Sequence, residues 1–312
     1  MFQKTQVIVN PESNKGKTRK RWEIIKEALK SFLKEFKYEF TEKPLQATEI
    51  SRVAIKEGSE LIIGVGGDGT MNEIANGFFE NKNIINPKTA LGIVPSGTGC
   101  DFTRSLNIPQ DLKNALRVIT QARSSLIDVG RVRYRNKLDK EEERYFLNIA
   151  DFGIGGEVVR KVNEMRMKRK ASSYLRCLAS TIMKYKNKRL RIRIDNKEIP
   201  VDEYLIGAIA NGKIFGKGMK IAPKAEIDDG LFDFVLVKGM KFLEFCRHCW
   251  KIFLGTHLSH PKISLLRGQK IEAIPENEED DILLEFDGEQ LGSLPAFFEI
   301  VPRYLLIKTN LA

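Results

Sequence analysis

The first part of the chain alternates short apolar runs with longer amphipathic stretches. Mainly apolar runs, each ending at a polar or glycine-containing turn, predict buried strands at 7–9, 61–65 and 90–94. A further short strand is predicted at 38–41. Apolar residues at spacings of three and four predict helices at 22–36, 47–57, 71–79 and 111–121. Strands that alternate with helices indicate a parallel sheet with crossover connections.

Beyond about residue 127 the pattern changes to a series of short strands. Strands are predicted at 131–134, 144–150, 190–194, 205–210, 231–237, 263–266, 282–286 and 297–301. Turns connect many of them, as in an antiparallel sandwich or barrel. Helical spacing interrupts the series at 157–185 and 241–253. We therefore predict an α/β domain at 1–127 and a β-sandwich domain at 128–312, with a final segment that can return to the first domain.

Three turns that follow predicted parallel strands carry residues suited to binding phosphate. They span residues 10–17, 66–70 and 95–99, and each contains glycine. In an open parallel sheet, ligands bind beyond the carboxyl ends of the strands, so the three turns should converge on one edge. Glycine lets the backbone approach phosphate closely, and amides at a following helix start favour anions. The alternative left open is that these are tight turns without a ligand.

Asp68 places a carboxylate inside the glycine-rich turn at 66–70. A carboxylate should repel phosphate unless Mg2+ lies between them, so Asp68 predicts a metal-nucleotide site. No Walker A sequence occurs, and no G-x-G-x-x-G motif follows the first strand. By themselves, the acidic segments 228–230 and 287–289 favour simple turns.

Taken in order, these motifs resemble the diacylglycerol kinase catalytic family, which includes bacterial diacylglycerol kinases, sphingosine kinases and ceramide kinases. The resemblance runs almost end to end and is strongest to the stand-alone bacterial lipid kinases. It rests on Asn10-Pro11 with Gly16, and on 66–70, 72–73, 95–102, 148–155, 210–212, 221–225, 228–231 and 287–289. The G-G-D-G-T segment is shared with NAD kinases. The G-T-G-x-D-F and D-G-E segments make the resemblance specific to lipid kinases.

The resemblance implies a Rossmann-like α/β nucleotide domain facing an antiparallel β-sandwich domain across an interdomain cleft. It implies that Asp287 is the catalytic base. It also implies an ATP site formed by Asn10, Pro11, Thr41, Gly66, Gly67, Asp68, Gly69, Thr70, Asn72, Thr98 and Glu289.

The resemblance further implies Mg2+ as a cofactor. Asp68, Asp101 and Asp229 would hold the ion and its waters. A structural Mg2+ would bind the Asp229 side chain and the backbone carbonyls of Glu226 and Leu231.

Cys100 departs from the family pattern, which usually has Asn at this position. A thiol cannot reproduce the several hydrogen bonds of an amide. We therefore expect a rearranged local network, or an altered activity or substrate preference. Asp101 and Phe102 next to it keep the pattern, so an inactive protein does not follow.

Positive charge is concentrated in one part of the chain. The net charge is +11, and residues 160–193 contain thirteen Lys or Arg against one acid, Glu164. An anionic membrane surface fits such a cluster, and a solvated helix face is the alternative. Nucleic acid is not expected as a partner, because the segment lacks the interleaved aromatic residues of a stacking platform.

Cysteine usage and hydropathy bear on the compartment. The chain has four cysteines, which fits a reducing environment, and it has no apolar run long enough to span a membrane. We therefore expect a cytoplasmic protein in peripheral contact with the membrane. The C-x-x-C segment at 246–249 lies in a helix predicted to be buried, so we interpret its thiols as inert. The sequence leaves a homodimer open.

The leading functional hypothesis is a lipid kinase that uses ATP to phosphorylate a lipid hydroxyl, most simply that of diacylglycerol. A sphingoid base or ceramide is the alternative acceptor. An NAD kinase shares the G-G-D-G-T segment but does not account for residues 95–102 and 287–289. A non-catalytic nucleotide- or lipid-binding protein is the alternative from another class, and Cys100 is its support.

Overall fold

The computed structural model describes residues 4–136, 138, 140–164 and 179–311. The chain forms an N-terminal unit, Met1–Val129 with Pro302–Ala312, and a C-terminal unit, Gly130–Val301. The boundary predicted after residue 127 thus lies after Val129, and the final segment belongs to the N-terminal unit. The predicted combination of an α/β domain and an antiparallel β-rich domain is confirmed.

A parallel sheet forms the centre of the N-terminal unit. Its strands are β1 (Thr5–Val9), β2 (Lys37–Phe40), β3 (Leu61–Gly66) and β6 (Ala90–Pro95), in the spatial order β2-β1-β3-β6. Each neighbouring pair among these strands is parallel, so the turns after β1, β3 and β6 leave from one edge. The sequence did not predict the small hairpin of β4 (Phe79–Glu80) and β5 (Asn83–Ile84).

Helices of the N-terminal unit pack through the apolar positions that the sequence pattern identified. They are α1 (Ser13–Phe32), α2 (Gln46–Lys56), α3 (Asp68–Asn76), α4 (Asp101–Ser105) and α5 (Leu112–Gln121). Trp22, Ile25 and Leu29 recur along α1 and are buried in one core with residues of the sheet. The span of α1 includes a left-handed turn at residues 14–16, so its regular helix follows Gly16 and begins earlier than the predicted residue 22.

The final segment of the chain is anchored in the N-terminal unit by stacking and hydrogen bonds. Tyr304 stacks on Phe79, with ring centroids 5.4 Å apart. Ile307 pairs with β6 in parallel. The Thr309 hydroxyl donates to the carbonyl of Leu106 at 2.6 Å. These contacts explain why the last residues belong to the first unit.

Antiparallel strands form most of the C-terminal unit. The chain passes between the units along β7 (Ser124–Asn136) and β16 (Glu289–Lys308). The other strands are β8 (Glu141–Phe146), β9 (Ile149–Gly153), β10 (Lys188–Ile194), β11 (Lys197–Ala210), β12 (Phe232–Lys238), β13 (Ile263–Gly268), β14 (Lys270–Pro275) and β15 (Leu283–Phe286). β9 pairs with both β11 and β15, and a phenylalanine-rich core lies among these strands.

Strand β10 shows how part of the basic segment is used. Its apolar residues alternate with Lys and Arg and are buried, as expected for a sheet with one solvated face. The basic residues form ion pairs with acids, namely Lys188 with Asp280, Arg189 with Glu276 and Arg193 with Glu272. These residues therefore belong to a solvated face. Residues 165–178 of the basic segment lie outside the described residues.

The helices of the C-terminal unit agree with one prediction and correct another. α6 (Ile154–Glu164) covers the start of the helix predicted at 157–185, and residues 179–184, near its predicted end, are helical. The predicted buried helix at 241–253 is instead two short helices, α7 (Phe242–His248) and α8 (Lys251–Leu254), neither of which has a buried residue. Cys246 is exposed, so the interpretation of its thiol as a core group is wrong. No helix among the described residues is long and apolar enough to cross a membrane.

Candidate active site

The three phosphate-type turns meet at one edge of the parallel sheet, as predicted. Asn10 Nδ2 donates to Thr70 Oγ1 at 2.9 Å, which joins the first turn to the second. The amide of Ser96 donates to the carbonyl of Gly66 at 2.8 Å, which joins the second turn to the third. The hydroxyls of Thr18 and Ser96 lie 2.6 Å apart and link α1 to the third turn.

Glycine is required where the second and third turns touch. A Cβ atom on Gly97 would lie 2.6 Å from the Cα of Gly67. Real Cβ atoms do not approach backbone this closely, so a side chain at Gly97 would push the two turns apart. The absence of a side chain here lets two backbone segments share one small volume.

The first turn contains consecutive left-handed residues. Asn14 has φ 51°, Lys15 has φ 61° and Gly16 has φ 73°. For a residue other than glycine this conformation costs about 1–2 kcal/mol. Strained backbone of this kind is concentrated at functional sites. Thr41 lies at the same edge of the sheet, where its amide donates to the carbonyl of Val9 at 2.9 Å.

Other predicted nucleotide residues have clear local roles. The Asn10 side chain also accepts from the amide of Glu12 at 3.1 Å, so Asn10 holds the turn that Pro11 continues. Asn72 is buried, and its carbonyl and Oδ1 accept from Asn76 Nδ2. Thr98 is exposed at the third turn. Asn72 thus packs along its own helix, whereas Thr98 is presented to the surroundings.

Asp68 is fixed by the start of α4. Its Oδ2 accepts from the amide of Asp101 at 3.0 Å, and its Oδ1 accepts from the amide of Phe102 at 3.2 Å. A carboxylate at a helix N-terminus is stabilised by the backbone amides and by the helix dipole. This accounts for a negative charge inside a turn otherwise suited to anions.

Asp68 and Asp101 present a small oxygen donor set. Oδ2 of each lies 3.6 Å from the point that a Cβ atom on Gly99 would occupy, so the two carboxylates face a common point. Asp101 also contacts Arg104 at 3.3 Å. Mg2+ in nucleotide sites commonly uses one or two carboxylates together with substrate phosphates. The two side chains therefore fit a Mg2+ that is shared with a nucleotide.

Cys100 occupies a strained position between the third turn and the start of α4. Its backbone is left-handed, with φ 52° and ψ 46°, and its side chain is buried. The thiol accepts from the amide of Gly97 at 3.2 Å. Burial, together with the charge of Asp68, raises the pKa of Cys100 to about 11. The thiol therefore stays neutral and serves as a small acceptor inside the turn.

Asp287 lies in a two-residue hairpin between β15 and β16. Phe286 pairs with Glu289, and Asp287 and Gly288 have φ 51° and 90°, as the Asp-Gly turns of tight hairpins do. The hairpin alternative from the sequence is thus correct for the backbone. The side chain has a second property, because its carboxylate accepts from the amides of Leu147, Asn148 and Ile149 at 2.8–3.2 Å. These donors orient the carboxylate and stabilise its charge.

Asp151 and Glu285 form a buried pair of carboxyl groups that the sequence pattern did not identify. Glu285 precedes Asp287 by two residues. Asp151 on β9 is directly opposite Glu285 on β15, and the two side chains are 1% and 5% exposed. Burial raises the pKa of Asp151 to about 7, and burial together with the charge of Asp151 raises that of Glu285 well above its usual range. The sequence did contain a signal for this pair. Each of two otherwise apolar strands, IADFG and LLEF, has one acidic residue.

The predicted structural Mg2+ site at Asp229 already contains a positive charge. Asp229 Oδ1 accepts from the amide of Leu231 at 3.0 Å, and Oδ2 is ion-paired with Arg267. Arg267 also lies 3.6 Å from Asp233, while Glu226 is exposed. Mg2+ bound to the Asp229 carboxylate would therefore have to displace the Arg267 guanidinium.

Each of the two units matches a known family of protein domains. A family model described as diacylglycerol kinase catalytic domain matches residues 4–132, and one described as YegS C-terminal NAD kinase beta sandwich-like domain matches residues 148–309. A diacylglycerol kinase from Staphylococcus aureus strain MRSA252 is 32% identical over 314 residues, which cover 98% of this chain and 92% of that protein.

Solved structures share the fold of the whole chain. The crystal structure of a diacylglycerol kinase from Bacillus anthracis strain Sterne has a TM-score of 0.73 and 23% identity, with 99% of this chain and 97% of that chain covered. An NAD kinase from Archaeoglobus fulgidus in complex with ATP has a TM-score of 0.52 and 16% identity, with 99% and 94% covered. At these identities the likeness concerns the fold alone.

The two units and the matches define a class of two-domain kinases, in which an α/β unit precedes a β-sandwich unit. Within this class the chain belongs to the diacylglycerol kinase family. The family resemblance predicted from the sequence is therefore confirmed.

Replacing Cys100 by Asn should stabilise the protein by about 1 kcal/mol, since Asn tolerates left-handed backbone better than most residues. Its amide oxygen can also keep the bond from Gly97. Urea unfolding followed by circular dichroism measures the change. Cys246→Asn, at an exposed helical position, is the matched control and should not stabilise. A lower stability for Cys100→Asn than for this control would contradict the account.

The pair of Asp151 and Glu285 should make stability fall as pH rises through about 7. The raised pKa values mean that the folded state keeps protons that the unfolded state has lost, so each retained proton contributes a slope of about −1.4 kcal/mol per pH unit. Glu285→Gln should flatten this dependence in urea unfolding between weakly acidic and weakly alkaline pH. Glu276→Gln, at an exposed ion pair, is the control. Equal slopes in the two variants would contradict protons retained by this buried pair.

Mg2+ should stabilise Arg267→Met more than it stabilises the wild type, because the variant frees the Asp229 carboxylate from its guanidinium partner. The measurement is the increase in thermal melting temperature on adding millimolar Mg2+ after treatment with a chelator. Arg189→Met, which breaks an ion pair on β10, is the control. A wild-type increase as large as that of Arg267→Met would show that Arg267 does not compete with the ion.

Proposed function

We propose that the protein is an ATP-dependent lipid kinase that transfers the γ-phosphoryl group of ATP to the hydroxyl of diacylglycerol and forms phosphatidic acid. The observation that carries the proposal is the convergence of three phosphate-type turns with Asp68 and Asp101 in a member of the diacylglycerol kinase family. The geometry supports a site for a metal-bound triphosphate, and membership of the family supports a lipid hydroxyl as the acceptor.

The N-terminal unit supports the nucleotide part of this proposal. The second and third turns are rich in glycine, and glycine lets a backbone approach phosphate oxygens closely. α3 begins directly after Gly67 without a side-chain cap, and a helix N-terminus favours an anion. Asp68 and Asp101 would hold Mg2+, which neutralises charge on the phosphates when it is bound.

The C-terminal unit supports the assignment of Asp287 as the base. Three backbone amides hold its carboxylate in one orientation, which suits a group that must meet a substrate hydroxyl. Phosphoryl transfer passes through a loose transition state in which positioning and charge stabilisation dominate, so the orientation of the base matters more than its strength.

The proposed reaction balances without a further reactant. The acceptor oxygen forms a bond to the γ-phosphorus, while the bond from that phosphorus to the β–γ bridging oxygen breaks. The hydroxyl proton passes to the Asp287 carboxylate and then to water. ADP leaves with the electron pair of the broken bond. Asp68 and Asp101 act on the charge of the phosphates, and Asp287 acts on the proton.

The name of the 32% identical relative, diacylglycerol kinase, favours diacylglycerol as the acceptor. A sphingoid base or ceramide offers the same chemistry, a primary hydroxyl on a lipid, and the side chains described above do not discriminate between these acceptors. NAD offers a hydroxyl on a soluble molecule, and the NAD kinase likeness concerns the fold alone. The acceptor is therefore best identified by direct competition.

Purified protein incubated with labelled ATP, Mg2+ and a total lipid extract should produce labelled phosphatidic acid, identified by mass spectrometry. Asp287→Asn should lower the rate by about 10²–10⁴-fold, the usual contribution of a general base. Asp195→Asn is the matched control, since Asp195 also has a positive φ of 50° and accepts backbone amides from Gln269 and Lys270. It should remain active.

Several outcomes would contradict the proposal. Equal losses in Asp287→Asn and Asp195→Asn, with equal losses of stability, would assign Asp287 a structural role only. A phosphorylated sphingoid base or ceramide would replace the acceptor, and phosphorylated NAD would replace the class of acceptor. ATP binding without turnover on any acceptor, in the wild type and in Cys100→Asn, would favour a nucleotide-binding protein that is not an enzyme.

A further inference from the structure

An apolar surface on α7 and α8 is not used by the proposed reaction. Leu243 is 80% exposed, Trp250 54%, Phe253 39% and Leu254 61%, and Cys246 between them is exposed as well. We call these five residues the apolar ridge. Large apolar side chains at such exposure are individually common, but a contiguous group usually marks a contact site.

Helical spacing makes the ridge contiguous. Leu243, Cys246 and Trp250 are three and four residues apart, and the backbone stays helical through Cys249 and Trp250. Residues at these spacings are neighbours on one helix face. Phe253 and Leu254 follow Trp250 by three and four residues and extend the same face. Other exposed apolar residues, such as Ile24 and Val53 of the N-terminal unit, do not belong to the ridge.

The opposite face of the two helices is already occupied. Phe242, Phe245 and Ile252 pack against a buried core of the C-terminal unit. The amide of Lys220 also donates to the carbonyl of Ile252 at 3.0 Å. Among the described residues, the two helices are therefore seated by one apolar face and the ridge is left exposed. An exposed apolar surface of this kind is typical of a contact site.

Positive charge surrounds the ridge. Lys241 and Arg247 are exposed, Lys251 is half-buried on α8, and Lys220 is exposed where its backbone meets α8. Glu244, the acid of α7, is ion-paired with Lys262 at 2.7 Å. The ridge thus combines Trp, Leu and Phe with a basic border and a compensated acid. This composition is typical of helices that lie in a membrane interface.

We propose that the apolar ridge inserts into the surface of an anionic phospholipid bilayer. The bilayer accommodates the apolar side chains below its headgroups, and anionic headgroups attract the basic border. A second copy of the chain fits less well, because a self-contact through this surface would bring basic borders together. The proposal rests on the proposed function for its biological purpose, since a lipid kinase must reach an acceptor in a membrane.

Tryptophan fluorescence gives a direct test of insertion. The chain has two tryptophans, of which Trp22 is 5% exposed and Trp250 54%. Vesicles of phosphatidylcholine with phosphatidylglycerol should shift the emission of the full-length protein to shorter wavelength. Trp250→Phe should abolish the shift, and Trp22→Phe should keep it. A shift that survives in Trp250→Phe would overturn the proposal.

Vesicle co-sedimentation tests the ridge as a whole. Leu243→Glu should weaken binding to the same vesicles by about tenfold or more, because a leucine that the bilayer would bury is replaced by a charge. Ile24→Glu is the matched control, since Ile24 is 63% exposed on α1, and it should bind as the wild type does. Equal binding by Leu243→Glu and Ile24→Glu would overturn the proposal. So would a dimer in sedimentation velocity without vesicles that Leu243→Glu dissociates.

Activity measurements separate this proposal from the proposed function. With a short-chain diacylglycerol that is dissolved as monomers, Leu243→Glu should turn over as fast as the wild type, while its rate on vesicles should fall. If the wild type binds vesicles through the ridge but phosphorylates no lipid, the surface stands and the proposed function fails. If monomeric and vesicular substrates are affected equally, the ridge has another role.

Discussion

The contact between the backbones of Gly67 and Gly97 is the constraint on which the candidate site depends. It allows the turns after β3 and β6 to share a volume that no side chain could enter. Asp68 can then reach the amides at the start of α4, and Asp101 can face the same point beside Gly99. The hydrogen bond from Asn10 to Thr70 adds the first turn to this arrangement.

Carboxyl groups in this protein acquire different properties from their surroundings. Backbone amides stabilise the charge of Asp68 at a helix start and that of Asp287 at a hairpin. A guanidinium neutralises Asp229. Asp151 and Glu285 have burial and each other instead, so their pKa values rise and a proton is retained. The functional group is a carboxyl in every case, and the donors within reach decide whether it suits a metal, a base or a buried proton.

Surface properties follow the same logic of local partners. Basic residues of β10 looked like part of a cationic patch, but acids beside them form ion pairs. The aromatic and aliphatic residues at 242–254 looked like a core helix, but four of the seven are exposed and belong to the apolar ridge. In both cases the composition of the segment was read correctly. The contacts that its side chains make in the structure changed the function expected of it.

The sequence by itself determined the alternation of strands and helices in most of the N-terminal unit and the convergence of its three glycine-containing turns. Period-two and period-3.6 patterns report which face is buried, and turns after parallel strands must meet at one edge, so residues 10–17, 66–70 and 95–99 were predictable together. Only the tertiary structure decided the pairing of Asp151 with Glu285, of Asp229 with Arg267 and of the final segment with the first unit. These contacts join residues far apart in the chain, and local patterns carry no record of a distant partner.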